Sequence, residues 1–260
     1  MIIRKRENKV KLVEWNINKR TKNITSPSFV SKRLLEQKAD VICLLEYSTD
    51  QMIRNNLKEY WLEESIVDSG NQVLIGVYKK FAPKGIKVIR NREEKGCYNF
   101  LHVEFEDNMG EQLAIIGLRM LTGEGTNRMD AETQTPPLNK YLEGVETRFI
   151  CVGDFNIKYD RMKRWFPNYK IQTIKKSNEQ INKSSYIFPD EYKNTIKDMV
   201  VIDHVLVRDV QADVEYFWEF VSDCDAYLYQ DKSKIKLGNQ YFAIKQGLPD
   251  HGMMICEIDY

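Results

Sequence analysis

Residues 149–157 read FICVGDFNI. Phe149, Ile150, Cys151 and Val152 form an apolar run suited to a strand buried on both faces, and a glycine follows them. The acid and the amide that come next, Asp154 and Asn156, gain nothing from burial, so a strand ending on them displays them. Taken alone, the pair has an ordinary explanation as a turn or helix cap. Its meaning depends on whether other strands end the same way.

They do. Five apolar runs end in, or enclose, polar groups: VEWNIN (13–18) with Asn16 and Asn18, ICLLE (42–46) with Glu46, and CVGDFN (151–156) with Asp154 and Asn156, followed by VVIDH (200–204) with Asp203 and His204 and LPDHGMM (248–254) with Asp250 and His251. Polar groups at the ends of several central strands meet at one rim, where active sites assemble. Of the three histidines, two directly follow an aspartate. A carboxylate beside an imidazole fixes its tautomer and stabilises the imidazolium, the arrangement of a general acid or base. Singly, Glu46 could mark a strand reaching water, and Asp203-His204 a satisfied pair at a sheet edge. His102, inside FLHVEF (100–105), reads as a strand residue with no role. Together, five such sites are hard to ascribe to accident. Carboxylates and amides with few histidines and no cysteine pair suit Mg²⁺ or Mn²⁺ better than zinc.

The chain has 260 residues, and no repeat, low-complexity tract or linker divides it, so a single domain over 1–260 is expected. Hydrophobic residues make up 42% and charged residues 30%, a soluble globular composition. Thirty-nine basic against 38 acidic residues leave a net charge of +1, so any phosphate recognition is local rather than global. MIIRKRENKVK (1–11) lacks the apolar core of a signal peptide, and no run reaches membrane-spanning length. The five cysteines form no CxxC pair. The reading is a cytoplasmic protein with reduced, buried thiols and no membrane partner.

Along the chain, KVKLVEWN (9–16) alternates as a strand, SPSFVSKRLLEQKAD (26–40) starts a helix at Ser26-Pro27, and VICLLE (41–46) is a buried strand. QVLIGVYKK (72–80) and GIKVIR (85–90) read as a strand pair across a turn at residues 83–85; YNFLHVEFED (98–107) and EQLAIIGLRM (111–120) read as a hairpin around Asn108-Met109-Gly110. Residues 121–137 read as a loop with at most a short helix, helical character resuming over 138–142, and residues 170–195 as a polar insertion. Strands return with MVVIDHVLV (199–207), ADVEYFWEFV (212–221) and GMMICEI (252–258). Short hairpin connections mixed with helical ones imply mixed sheets.

In their order, VEWNIN, ICLLE, VGDFN, IDHVLV and PDHGMM resemble the successive motifs of the endonuclease/exonuclease/phosphatase superfamily, the fold of DNase I and exonuclease III, from Asn16 to His251. The resemblance implies an α/β (α+β) chain folded as a four-layer α-β-β-α sandwich of two mixed sheets flanked by helices. It also implies metal-dependent hydrolysis of a phosphate ester. Carried over by residue, Glu46 is the principal metal carboxylate, helped by Asn18 and Asp250, with Mg²⁺ or Mn²⁺ as cofactor. Asn16 sits beside the phosphate or the metal, and Asp154 and Asn156 position the attacking water and phosphate oxygens. His251 contacts the phosphate or acts as general acid or base, oriented by Asp203.

Two departures from the pattern stand out. Arg119, ending AIIGLR (114–119), occupies the place of a usual histidine or tyrosine; it either clamps phosphate or pairs with an acid of the rim. Asn18 is neutral where many relatives have an aspartate. For substrate, KYDRMKRWFPNYK (158–170) sets Lys158, Arg161, Lys163 and Arg164 beside Tyr159, Trp165 and Phe166, which suits nucleic acid or, equally, a solvated helix with Trp165 and Phe166 in the core. NKRTK (18–22) adds charge with the same ambiguity. A nuclease acting as a monomer leads. The alternatives are a phosphatase or phosphodiesterase of a small phosphorylated molecule, and a non-catalytic phosphate-binding module.

Overall fold

The computed structural model describes residues 9–19, 21–66, 72–91, 99–121, 131–190, 195–208, 210–228, 235–237, 240–242 and 246–260. In chain order the strands of the first half are β1 (Lys9–Asn16), β2 (Val41–Tyr47), β3 (Tyr60–Glu64), β4 (Gln72–Tyr78), β5 (Lys87–Asn91), β6 (Asn99–Glu106), β7 (Gln112–Arg119) and β8 (Phe149–Asp154). The second half contributes β9 (Lys170–Ile171), β10 (Thr173–Ile174), β11 (Tyr186–Asp190), β12 (Thr195–Val200), β13 (Asp203–Val207), β14 (Gln211–Phe217), β15 (Ile235–Leu237), β16 (Gln240–Phe242) and β17 (Met253–Asp259). The helices are α1 (Ser28–Glu36), α2 (Gln51–Asn56), α3 (Ala131–Glu143), α4 (Tyr159–Trp165) and α5 (Val221–Leu228).

A seven-stranded sheet runs β10-β14-β17-β1-β2-β4-β3 and a six-stranded one β5-β6-β7-β8-β13-β9, with β11–β12 and β15–β16 as separate ribbons. Both sheets are mixed: β1 and β2 pair in parallel, as do β7 and β8, and most other pairs are antiparallel. One apolar cluster fills the space between the sheets and reaches Phe29, Val30, Leu34 and Ile53 of α1 and α2. A second, with Phe149, Cys151, Leu138, Leu142 and Phe166, lies beneath α3 and α4. The architecture is therefore the expected α-β-β-α sandwich of two mixed sheets.

Gly117 marks a close approach of the sheets: a Cβ there would meet Cys43 Sγ and Val73 Cγ1 at 2.8 Å. It also fixes which face of each strand is inward. On β7, Leu113, Ile115 and Arg119 share the parity of Gly117, while Ala114, Ile116 and Leu118 pack in the outer cluster. By the same alternation Asp154 faces inward with Ile150 and Val152, and Asp203 with Val205 and Val207.

Three local expectations are corrected. β4 and β5 are not a hairpin: β4 lies between β2 and β3, whereas β5 pairs with β6 in the other sheet. The connection crosses between sheets because Phe81 and Ala82 are buried, Phe81 packing edge-on against Phe105. α3 begins at Ala131 rather than Leu138, despite Pro136 and Pro137, because buried Leu138 and Leu142 anchor it and the Gln134 amide exchanges two hydrogen bonds with the Leu121 backbone; residues 122–130 of the expected loop lie outside the described residues. Nor is 170–195 merely an insertion. β9 pairs with β13 and β10 with β14, so residues 170–174 stitch one sheet to the other; residues 191–194 lie outside the described residues.

Candidate active site

The apolar run 149–152 becomes β8, and the strand ends where its glycine allows. Gly153 has φ +151°, and a Cβ on it would lie 1.8 Å from the Leu118 carbonyl oxygen. That close passage delivers Asp154 opposite Arg119 on one neighbour and Asp203 on the other. Asp154 Oδ1 accepts from the Asn156 backbone N–H at 3.0 Å, and Oδ2 accepts from Asn16 Nδ2 at 3.5 Å. Asn156, at φ +53°, donates its amide N–H to the Met120 carbonyl at 2.7 Å, which fastens the turn. Asn16 Oδ1 accepts from the Asn18 N–H at 3.1 Å. The VEWN and GDFN motifs are thus joined directly.

Glu46 is turned into the same rim. Along β2 the alternation that points Cys43 inward would send Glu46 outward, but Glu46 has φ +46° and the pairing with β4 shifts register between Leu44 and Tyr47. Of the four non-glycine residues with positive φ among the described residues, Asn18, Glu46 and Asn156 belong to this site, the concentration of backbone strain that functional sites show. Glu46 Oε1 lies 2.5 Å from Arg119 Nη2, and Arg119 Nε lies 3.6 Å from Asp154 Oδ2. Arg119 is therefore paired with an acid of the rim.

The two Asp-His motifs divide into different roles. His251 Nδ1 is 2.8 Å from Asp203 Oδ2, both buried, and His251 Nε2 is 4.0 Å from Asp250 Oδ1. Burial alone would lower the His251 pKa; the charge and hydrogen bond of Asp203, with the charges of Asp250 and Asp154, outweigh it and raise the value to about 10. The ring is thus an imidazolium at neutral pH. Burial, then the Asp203 charge, pushes the Asp154 carboxyl up to about 7, against the opposing pull of His251 and Arg119. His204, by contrast, donates from Nε2 to the Ile157 carbonyl at 2.6 Å and accepts from Gln172 Nε2 at 2.9 Å. Burial lowers its pKa from 6.5 to about 4.

That value has a consequence for stability. Between about pH 4 and 6.5 an unfolded chain protonates His204 and the folded one does not, so the stabilisation is complete above 6.5 and is lost as pH falls towards 4. The full difference is roughly 3 kcal/mol. Urea unfolding of His204→Gln is expected to show a correspondingly flatter pH dependence than the parent over this window; an unchanged slope would refute the assignment.

Several residues of the site carry no motif. Ser185 Oγ accepts from the N–H groups of Ile202 and Asp203, and its carbonyl accepts from the Gly252 N–H. Tyr216 donates to the Asp203 carbonyl, the Trp15 indole donates to the His251 carbonyl, and the Tyr186 ring lies 4.7 Å from the imidazole. Glu14 is fully buried on the same face of β1 as Asn16, with neither carboxyl oxygen hydrogen-bonded; burial and the Asp203 charge raise its pKa well above the usual carboxylate range. Its parity with Asn16 is the sequence signal that points it inward. The charge at 18–22 divides: Lys19 is buried, its Nζ on the Ser48 carbonyl at 2.7 Å and 3.6 Å from Asp50, whereas Lys22 is exposed and Arg20 lies outside the described residues. Just past the end of α4, Phe166 is fully buried, and on the helix Trp165 packs against the same cluster, while Arg161, Lys163 and Arg164 are exposed.

Comparison with solved structures identifies the fold. D. rerio TDP2 in complex with a single-strand DNA product superposes with a TM-score of 0.63 at 14% identity, over 98% of this chain and 100% of that one. A mannosyl-6-phosphatase from Bacteroides thetaiotaomicron matches at 0.62 and 10% identity, over 96% and 100%. Staphylococcus aureus beta toxin with bound magnesium ions matches at 0.59 and 15%, over 96% and 99%. An endonuclease/exonuclease/phosphatase family protein, also from B. thetaiotaomicron, matches at 0.63. The chain has the endonuclease/exonuclease/phosphatase fold. No family profile matches the sequence, and no curated protein matches it by sequence.

Within this fold the donors suit a hard cation. One carboxylate oxygen each from Asp154 and Asp203 lies within 4.8 Å of the other, the His251 imidazolium beside them offering no lone pair, and Asp203 Oδ1 is buried without a hydrogen-bond donor. Glu46, Asn18 and Asp250 are each buried and offer carboxylate and amide oxygens, the chemistry Mg²⁺ and Mn²⁺ prefer. The fit has one complication: Glu46 already faces the guanidinium of Arg119.

Proposed function

We propose that this chain is a divalent-metal-dependent hydrolase of phosphate esters, and that its substrate is a nucleic-acid phosphodiester. The observation that carries the reading is the buried Asp203–His251 pair facing Asp154, Asn16 and Arg119 at the shared ends of strands from both sheets. Support for hydrolysis comes from the fold, which a mannosyl-6-phosphatase and a DNA-product complex of TDP2 share. Support for nucleic acid comes from the latter and from exposed Arg161, Lys163 and Arg164 directly after the GDFN turn. The mannosyl-6-phosphatase equally supports a second reading, a small phosphorylated substrate. The proposal includes a single catalytic domain acting as a monomer in the cytoplasm; the described cysteines, Cys43, Cys151, Cys224 and Cys256, are all buried.

Glu46, with Asn18 and Asp250, would hold Mg²⁺ or Mn²⁺, which supplies positive charge where negative charge grows on the phosphoryl oxygens. The remaining work falls to the chain's own groups. Asp154, with its raised pKa, takes a proton from the attacking water as the water oxygen bonds to phosphorus and the bond to the leaving oxygen breaks. His251, held through Nδ1 by Asp203, donates from Nε2 to the phosphate. Asn16 donates its amide to the phosphate or steadies Asp154, and Asn156 keeps the turn that aims Asp154.

Asp154→Asn is expected to lower kcat about 10³-fold with little change in KM, since an amide cannot accept the proton. The substrate test offers plasmid DNA, single-stranded DNA and RNA, an abasic duplex, and bis-p-nitrophenyl phosphate, each with Mn²⁺ or with EDTA. Cleavage of a polymer supports the nuclease; cleavage of the small diester alone supports the second reading.

A further inference from the structure

Arg119 is this chain's own departure from the motif pattern, and it stands among acids. Its Nη2 is 2.5 Å from Glu46 and its Nε 3.6 Å from Asp154; the two carboxylates are each 2% exposed and the arginine 12%. The Nε is buried and donates no hydrogen bond. A guanidinium is a permanent cation, so the carboxylate assigned to the metal already has a positive partner. A divalent ion on Glu46 would meet that charge in a water-poor rim, where like charges repel strongly. The repulsion is relieved if the guanidinium turns to an anion. A phosphate ester provides one, accepting from Nε and Nη in the two-pronged geometry arginine favours.

We propose that Arg119 holds Glu46 in the free protein and passes to the substrate phosphate as the metal takes Glu46, so that cation and phosphate load as a coupled pair. The proposal rests on the metal-dependent reading above. By linkage, phosphate raises metal affinity and metal raises phosphate affinity by one shared factor. A purely structural ion pair lacks this second half: its removal would free Glu46 for metal but leave phosphate coupling untouched.

The test follows Mn²⁺ binding to the full chain through loss of the free-ion EPR signal, with and without dimethyl phosphate as a minimal diester anion. Without the diester, Arg119→Gln is expected to bind Mn²⁺ about tenfold more tightly than the parent. The diester is expected to tighten Mn²⁺ binding about fivefold or more in the parent and far less in the variant. Arg119→Lys keeps the charge and loses the fork, so it should hold parental Mn²⁺ affinity with reduced coupling; circular dichroism melts verify that each variant is folded. Equal affinity in parent and Arg119→Gln, or equal coupling, overturns the proposal and leaves the metal site standing. Absence of Mn²⁺ binding in all three proteins overturns the metal-dependent reading, and the proposal with it.

Discussion

His251→Asn is expected to lower kcat/KM about 10³-fold while the protein stays folded. Asparagine is the informative replacement because its Nδ2 reaches the position of the imidazole Nδ1, 2.8 Å from Asp203 Oδ2. The Nδ2 donor to Asp203 is kept, while the outer nitrogen with its proton and the positive charge of the ring are lost. Alanine would instead leave Asp203, fully buried, without its partner, and breaking a buried pair in that way costs ~3–5 kcal/mol. His251→Ala therefore mixes lost chemistry with lost stability. Steady-state kinetics beside a thermal melt separates the two, and near-parental turnover of a folded His251→Asn protein would refute the role.

Gly153→Ala is expected to destabilise the fold by roughly 3–5 kcal/mol, at the upper end for a single methyl group. The added Cβ would stand 1.8 Å from the Leu118 oxygen and 2.9 Å from its carbonyl carbon, backbone atoms that no rotamer change can move. Relief requires β7 and β8 to part where Met120 N–H donates to the Asp154 carbonyl at 2.8 Å. Asp154 would then move away from Asn16 and Arg119, so activity should fall along with the urea midpoint. A loss below about 1 kcal/mol would mean that the strands yield there more easily than the packing implies.

The residues that display chemistry were readable because each ends a strand whose apolar pattern is strong. Asn16, Asp154 and Asp203 stand where β1, β8 and β13 stop or start, and sheet alternation brings them to one rim. What supports them was not readable, because it depends on distant segments. Ser185 and Gln172 brace Asp203 and His204 from a stretch with no periodic pattern. Lys19 looks like surface charge in sequence and is buried only because the Ser48 carbonyl and Asp50 meet it. Glu46 turns inward through a positive φ that no local residue preference predicts for glutamate. The β4–β5 error has the same origin: two good strands joined by a turn signal read as a hairpin, and only the burial of Phe81 reveals that the chain is changing sheets.

The most direct test of the account is phosphate-ester turnover by the full chain after removal of metal with EDTA, then against rising Mn²⁺ or Mg²⁺, with His251→Asn alongside. Bis-p-nitrophenyl phosphate, p-nitrophenyl phosphate and single-stranded DNA serve as substrates. The account expects no turnover in the chelator, saturable recovery with either cation on at least one ester, and a loss of about 10³-fold in the variant at every metal concentration. Full activity in EDTA, or no hydrolysis of any ester at any metal concentration, would contradict it.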